Sequence, residues 1–269
     1  MNKNNKTVIF MILVLILLIS WMQINKSNYY IEKNIGIENR PFEEYVVFYP
    51  QHQDDEVLWG GSAIRTAINT LGSDRVFVVL VSDGTGVNVF KDKIYRNSTR
   101  KEKEELRDEE FYAALNDLGI KKENIIILSD IDNKTGDHFD LMRKVAIDFQ
   151  NNYKNVTHVA HSYKYDDHPM HRKNGKVIYN LYKEGKIKDV MFFLKPKYVK
   201  NISVDKRIIY NADNLEDYNS IVKACNEYKL INEAKERRGI GYTSAHSYFD
   251  HLLQDPSLTS VLHLPLKIN

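Results

Sequence analysis

From Tyr45 onward, short apolar runs and amphipathic stretches follow one another in strict turn, and this alternation constrains the fold most. Residues 45–49 read as a strand and residues 56–71 as a helix, with Gly60 and Gly61 allowing close backbone approach near its start. Residues 75–81 (Arg-Val-Phe-Val-Val-Leu-Val) are too apolar for a half-exposed strand and belong in the middle of a parallel sheet. The spacing predicts a helix over 98–118, closed by Gly119. It then predicts a strand over 124–128, a helix over 140–153 and a strand over 156–160 ending at His161. A helix over 168–184, opened by Pro169, and a strand over 190–194 follow. Such alternation builds right-handed βαβ units, so the expected fold is α/β: a layered, Rossmann-like, mostly parallel sheet with helices on both faces. Residues 214–238 read as one long helix, and 239–269 as helix fragments and coil.

Two charged clusters sit where such a sheet binds ligands, at the C-terminal ends of strands. The first is His52-Gln53-Asp54-Asp55-Glu56, directly after the first strand. The second is Asp166-Asp167-His168-Pro169-Met170-His171, following the strand that ends at His161. His52 and Asp55 are three residues apart, as are His168 and His171, so each pair can share a face. Imidazole and carboxylate are donors that a catalytic zinc takes, three from protein with one position open. A free carboxylate can then act as general base and a further histidine can stabilise an oxyanion. The competing role for Asp54, Asp55 and Glu56 is to cap the following helix, and Glu56 is the expected capping acid. His138, His158 and His161 stand singly; His158 and His161 read first as strand-end packing, with a site role the alternative for His161. Loop 82–86 can line the pocket, but Asp83-Gly84-Thr85-Gly86 is not a dinucleotide-binding pattern.

A net charge of +2 on 269 residues excludes the electrostatic footprint of a nucleic-acid partner. Cys225, the single cysteine, cannot form an intrachain disulfide and reads as a buried apolar residue. Residues 8–19 are uninterruptedly apolar, with Lys3 and Lys6 before them, and no pair of small residues marks a cleavage site after Ser20. The expected organisation is an N-terminal membrane helix acting as signal anchor (1–26), a linker (27–41) and one domain (42–269). The expected orientation places that domain outside the membrane; cleavage of the segment would instead release it.

Residues 49–56 resemble the motif Ala/Pro-His-Pro-Asp-Asp-Glu of the PIG-L/LmbE de-N-acetylase family. Residues 76–86 resemble its second strand and following loop. Arg107-x-x-Glu110, Ala114 and Leu118-Gly119 resemble its Arg-x-x-Glu helix, and Asp167 to His171 its Asp-His-Pro-Asp-His. The four motifs occur in order and span roughly residues 44–185. The resemblance implies a divalent metal, usually zinc, and hydrolysis of an N-acetylated amino sugar to the amine and acetate. It implies that His52, Asp55 and His171 bind the metal, Asp54 is the general base and His168 stabilises the oxyanion. Two departures stand out. Gln53 replaces the motif proline and loosens the turn, and Met170 replaces an aspartate that can orient an imidazole. The anchor points to a cell-envelope glycan or glycolipid as substrate. Hydrolysis of a different amide, and glycan binding without catalysis, are the alternatives. His246 and the tyrosines of the C-terminal third (Tyr228, Tyr242, Tyr248) are further pocket candidates, with packing the plainer role. The oligomeric state has no signature in the sequence.

Overall fold

The computed structural model describes residues 36–132, 134–232, 234 and 237–267, together with Met11, Val14 and Leu15. Residues 36–269 form one compact unit. Apart from those three residues, the expected anchor lies outside the described residues. Among the described residues no helix is long and apolar enough to cross a membrane.

The chain runs β1 (Ile37–Glu38), β2 (Tyr45–Phe48), α1 (Asp55–Leu71), β3 (Val76–Leu80), α2 (Arg100–Leu118), β4 (Ile125–Ile127) and a short α3 (Leu128–Asp132). It continues with α4 (Phe139–Tyr153), β5 (Val156–His161), α5 (Pro169–Lys183), β6 (Asp189–Phe193), β7 (Arg207–Tyr210), α6 (Leu215–Lys229), β8 (Ile231–Asn232), β9 (Arg237–Arg238), α7 (Ile240–Leu253) and β10 (Ser260–His263). Eight strands form one sheet in the order β1-β7-β10-β6-β5-β2-β3-β4, and β8 and β9 form a separate pair. The run β6-β5-β2-β3-β4 is parallel throughout, as the apolar runs require. β10 enters antiparallel between β6 and β7, and β1 pairs parallel with β7.

Alternate residues of a strand face opposite sides of the sheet. Val46 and Phe48 pack with Ile64 of α1, Phe111 and Leu115 of α2, Ile221 of α6 and Phe249 of α7. Val47 and Tyr49 pack on the other side with Met142 and Ala146 of α4 and Ile178 and Leu181 of α5. The fold is therefore α/β, with a mostly parallel sheet and helices on both sides. α2 begins on a capping box, Thr99 with Glu102, and ends on Gly119 in the left-handed conformation (φ 89°).

Three corrections concern the segments outside the βαβ core. β1 falls within residues 27–41, read as linker. The expected helix over 214–238 ends at Lys229, and the chain then makes the β8–β9 pair. Residues 239–267 are not fragments: they supply α7 and an interior strand. Cys225 is fully buried as expected, and burial pushes its thiol up to about 12.

Candidate metal and active site

The turn after β2 carries the first cluster and the loop between β5 and α5 the second, so both meet at the C-terminal edge of the sheet. They open into a cavity of about 660 Å³. Its walls include His52, Asp54, Asp55, His168, Met170 and His171, and loop residues Ser82, Asp83, Gly84 and Gly86.

Three donor atoms make a tight triangle. His52 Nδ1 lies 3.1 Å from His171 Nε2 and 3.4 Å from Asp55 Oδ2, and His171 Nε2 lies 3.3 Å from Asp55 Oδ2. A tetrahedral zinc with bonds of 2.0–2.1 Å needs donor–donor edges of about 3.3–3.4 Å. The residues present thus fit the metal that the sequence resemblance implies. His168 with His52 and His171, and His161 with Asp55 and His171, also place donor atoms within 4.8 Å of one another.

Two members of the triangle are held by neighbours outside it. Asp55 Oδ2 accepts from the His52 amide (2.9 Å), while Oδ1 accepts from the Trp59 indole N–H (2.8 Å). His171 Nδ1 lies 3.1 Å from Asp166 Oδ2. Burial disfavours charge on Asp55, yet His171 and His161 hold its carboxyl well below the usual range. For His171, burial is outweighed by Asp55 and Asp166, and its pKa rises to about 9.

Asp54 occupies the N-cap of α1 at φ 123°, a region that costs a non-glycine residue about 1–3 kcal/mol and clusters at functional sites. Asp54 lines the cavity beside the triangle. Arg107, fully buried on α2, reaches Asp54 Oδ2 (3.3 Å) and also donates to the Gln53 carbonyl. Burial raises the Asp54 pKa, Arg107 opposes the rise and Asp55 adds to it. Glu56 is not the cap expected of it, since the N-cap of α1 is Asp54 and carries no side-chain cap bond; the Glu56 carboxyl accepts from the Asp54 amide (3.1 Å) and from Tyr228 (2.5 Å), and burial lifts its pKa to about 8. Glu110 accepts from the amides of Ile240 and Gly241, tying α2 to the start of α7.

His168 lies at the rim as N-cap of α5, its ring 4.9 Å from His52 and 4.6 Å from His171. Burial and the two neighbouring histidines lower its pKa to about 4, so it is neutral near pH 7.

The two motif departures have structural answers. The Gln53 amide donates to Asp108 (2.8 Å) and more weakly to the Asp83 carbonyl (3.4 Å), so a side chain pins the turn where the motif has a proline ring. Met170 lines the cavity, and the carboxylate that holds an imidazole comes from Asp166 instead.

Sequence reasoning missed several neighbours. His161 was read as packing, yet its Nε2 lies 3.2 Å from Asp55 Oδ2 and its ring stacks on His171 at 4.0 Å. Asp166 belongs to the second charged cluster but carries no role in the sequence reading, and Trp59 and Lys195 have none either, since their contacts join distant segments. Tyr248 lines the cavity, whereas Tyr228 is buried on Glu56 and His138 pairs with Asp132 (3.0 Å). His246 packs near Tyr242, at 6.4 Å between rings.

The family model for GlcNAc-PI de-N-acetylase, PIG-L, matches residues 46–182, just over half of the 269-residue chain. No curated protein matches the chain. Among solved structures, N,N'-diacetylchitobiose deacetylase from Pyrococcus horikoshii, complexed with its inhibitor, is similar at 16% identity and TM-score 0.50, covering 78% of this chain and 77% of that one. The deacetylase of the A40926 pseudoaglycone is 12% identical with TM-score 0.52, covering 82% and 96%. A deacetylase–teicoplanin complex is 13% identical with TM-score 0.52, covering 81% and 96%. At these identities the likeness is one of fold.

Proposed function

The chain belongs to the PIG-L family, and on that premise we propose that it is a metal-dependent hydrolase removing the N-acetyl group from an N-acetylated amino sugar of GlcNAc type. The triangle of His52, Asp55 and His171, with edges matching a tetrahedral zinc and a strained, buried carboxylate beside it, carries the reading. Those three residues would hold Zn2+ or another divalent metal. Such an ion supplies Lewis acidity, making water more acidic and a carbonyl more electrophilic.

The rest follows from the chain's own groups. Asp54 accepts the proton of the attacking water, held toward the cavity by its backbone conformation and by Arg107. A neutral His168 at the rim donates a hydrogen bond to the oxygen that gains charge as the acetyl carbon becomes tetrahedral. After collapse, the proton on Asp54 passes to the leaving amine, releasing acetate. The cavity volume admits one or two sugar rings.

Membrane anchoring by residues 1–26, with the domain outside, is supported by the apolar run 8–19 behind Lys3 and Lys6. A cell-envelope glycan or glycolipid is the substrate that fits such a location. The test is acetate release from N-acetylglucosamine-containing glycans, paired with elemental analysis. One metal per chain, with acetate release lost on chelation and in Asp55→Ala, is the expected result. Stoichiometric metal with release of a different product would show another amide to be the substrate. Tight glycan binding without metal would mark a binding module.

A further inference from the structure

Lys195 follows β6 and has no counterpart among the motifs, yet it joins the two halves of the candidate metal site. It is 5% exposed. A buried ammonium is costly unless paired, and this one has carboxylates on one side and aromatic faces on the other. Its Nζ lies 3.0 Å from Asp166 Oδ1 and 2.8 Å from Asp167 Oδ1. It also lies 5.4 Å from the Trp59 ring centroid and 5.5 Å from that of Tyr248, within cation–π range. Trp59 and Tyr248 meet edge to face at 5.1 Å.

These contacts close a circuit around two donors. Asp55 Oδ1 is occupied by the Trp59 N–H, which leaves Oδ2 to face His52 and His171. Asp166 Oδ1 is occupied by Lys195, which leaves Oδ2 to face His171 Nδ1. A proton on Nδ1, donated to Asp166, leaves the Nε2 lone pair for the metal. Lys195 thus touches the supports of Asp55 and His171 while touching neither. We propose that Lys195 is a positioning residue of the metal site, bracing Trp59 against Asp55 and Asp166 against His171 so that both donors are aimed before metal arrives. The inference rests on the metal-dependent reading above.

The experiment is zinc affinity of the full chain by chelator competition, with visible absorption of the cobalt-substituted protein as a readout of coordination geometry. Lys195→Met keeps the volume and removes the charge; Trp59→Phe keeps one aromatic ring and removes the N–H together with the rest of the indole. Each is expected to weaken zinc binding about 10–100-fold, the usual effect of losing a support behind a ligand, and to change the cobalt spectrum. Lys195→Arg, which retains charge and donors, is expected to recover part of the loss. Should Lys195→Met fail to fold, Trp59→Phe and Lys195→Arg carry the test. Wild-type affinity and spectrum in the folded variants would overturn the positioning role while leaving the metal site intact. A wild-type chain that binds no zinc would overturn both.

Discussion

Gly175 is the point where a single added methyl group reaches the candidate metal site through the backbone. A Cβ built there would lie 2.0 Å from the His161 carbonyl oxygen and 2.7 Å from the Tyr163 amide nitrogen. Both contacts are main chain, so no side chain can swing aside. An ordinary C···O contact is about 3.3 Å, so Gly175→Ala must push α5 from the end of β5 by about 1.3 Å. The neighbouring Asn174 bonds, to the His161 amide and the Tyr49 carbonyl (each 3.1 Å), would stretch with it. His171 stands one turn earlier on the same helix and moves too. The triangle edges of 3.1 and 3.3 Å that His171 makes to His52 and Asp55 then open beyond what one zinc can span. Overpacking of this kind costs about 1–3 kcal/mol, or a fall in Tm of about 2–12 °C for a domain this size. A displacement of about 1 Å at a reacting centre costs about 10²-fold in rate. The expected result for Gly175→Ala is a folded protein with lowered Tm, zinc affinity down by at least tenfold and kcat/KM down by about 10². Thermal melts, chelator competition and acetate release measure the three. Wild-type zinc affinity and kcat/KM in a folded Gly175→Ala protein would refute the reasoning, because the site would then not depend on the α5–β5 contact.

Two further outcomes follow from groups beside the cavity. Asp54→Asn keeps the size of the side chain and removes the proton acceptor, so kcat should fall about 10²–10⁴-fold while metal content stays at the wild-type level; loss of metal would show Asp54 to be a ligand instead. Asp108 is buried and its pKa is raised to about 7, chiefly by burial, so the folded state holds its proton more tightly than the unfolded state does. Its contribution to stability is present at acidic pH and is lost as pH rises from about 4 through about 7. Asp108→Asn retains the acceptor for Gln53 and removes this dependence, so its Tm should exceed the wild type at pH 8 and match it near pH 4; equal Tm values at pH 8 would count against a buried ionised Asp108.

The parallel half of the sheet was legible because its strands are continuous apolar runs separated by helices long enough to cross over. His52, Asp55 and His171 stood out as candidates because they belong to two charged clusters, one directly after β2 and one at the start of α5, whose charge a helix start alone does not explain. β7 and β10 were not legible, since both lie outside the strand–helix alternation and β10 owes its place to pairing with distant β6 and β7. The helix read over 214–238 carried its apolar spacing past the true end at Lys229. The chain leaves the helix at Leu230, which is extended (φ −65°, ψ 126°), and Arg237 returns to Glu227 (2.7 Å). His161, Trp59 and Lys195 have no local signature, and Asp166 has only its place in the second cluster. A histidine inside an apolar strand looks like packing until α1 brings Asp55 to it, and a lysine after β6 looks like surface until Asp166 folds over it.

β10 is the last strand of the sheet in sequence and the third in space. On a ribosome, β6 keeps an open edge, including Phe192 and Phe193, until residues 260–263 emerge, and only then can β7 and β1 join the parallel half. An unpaired apolar edge of this kind invites pairing with another chain, so the interval before β10 docks is when a nascent copy is most exposed to aggregation. The same docking seats His263 on Ser162 (2.8 Å) and the Leu266 carbonyl on the Tyr163 hydroxyl (2.6 Å), fastening the start of the loop that leads to His168 and His171. Closing the sheet and fastening that loop are one event, so a ribosome-bound intermediate does not yet hold the candidate site in its finished form.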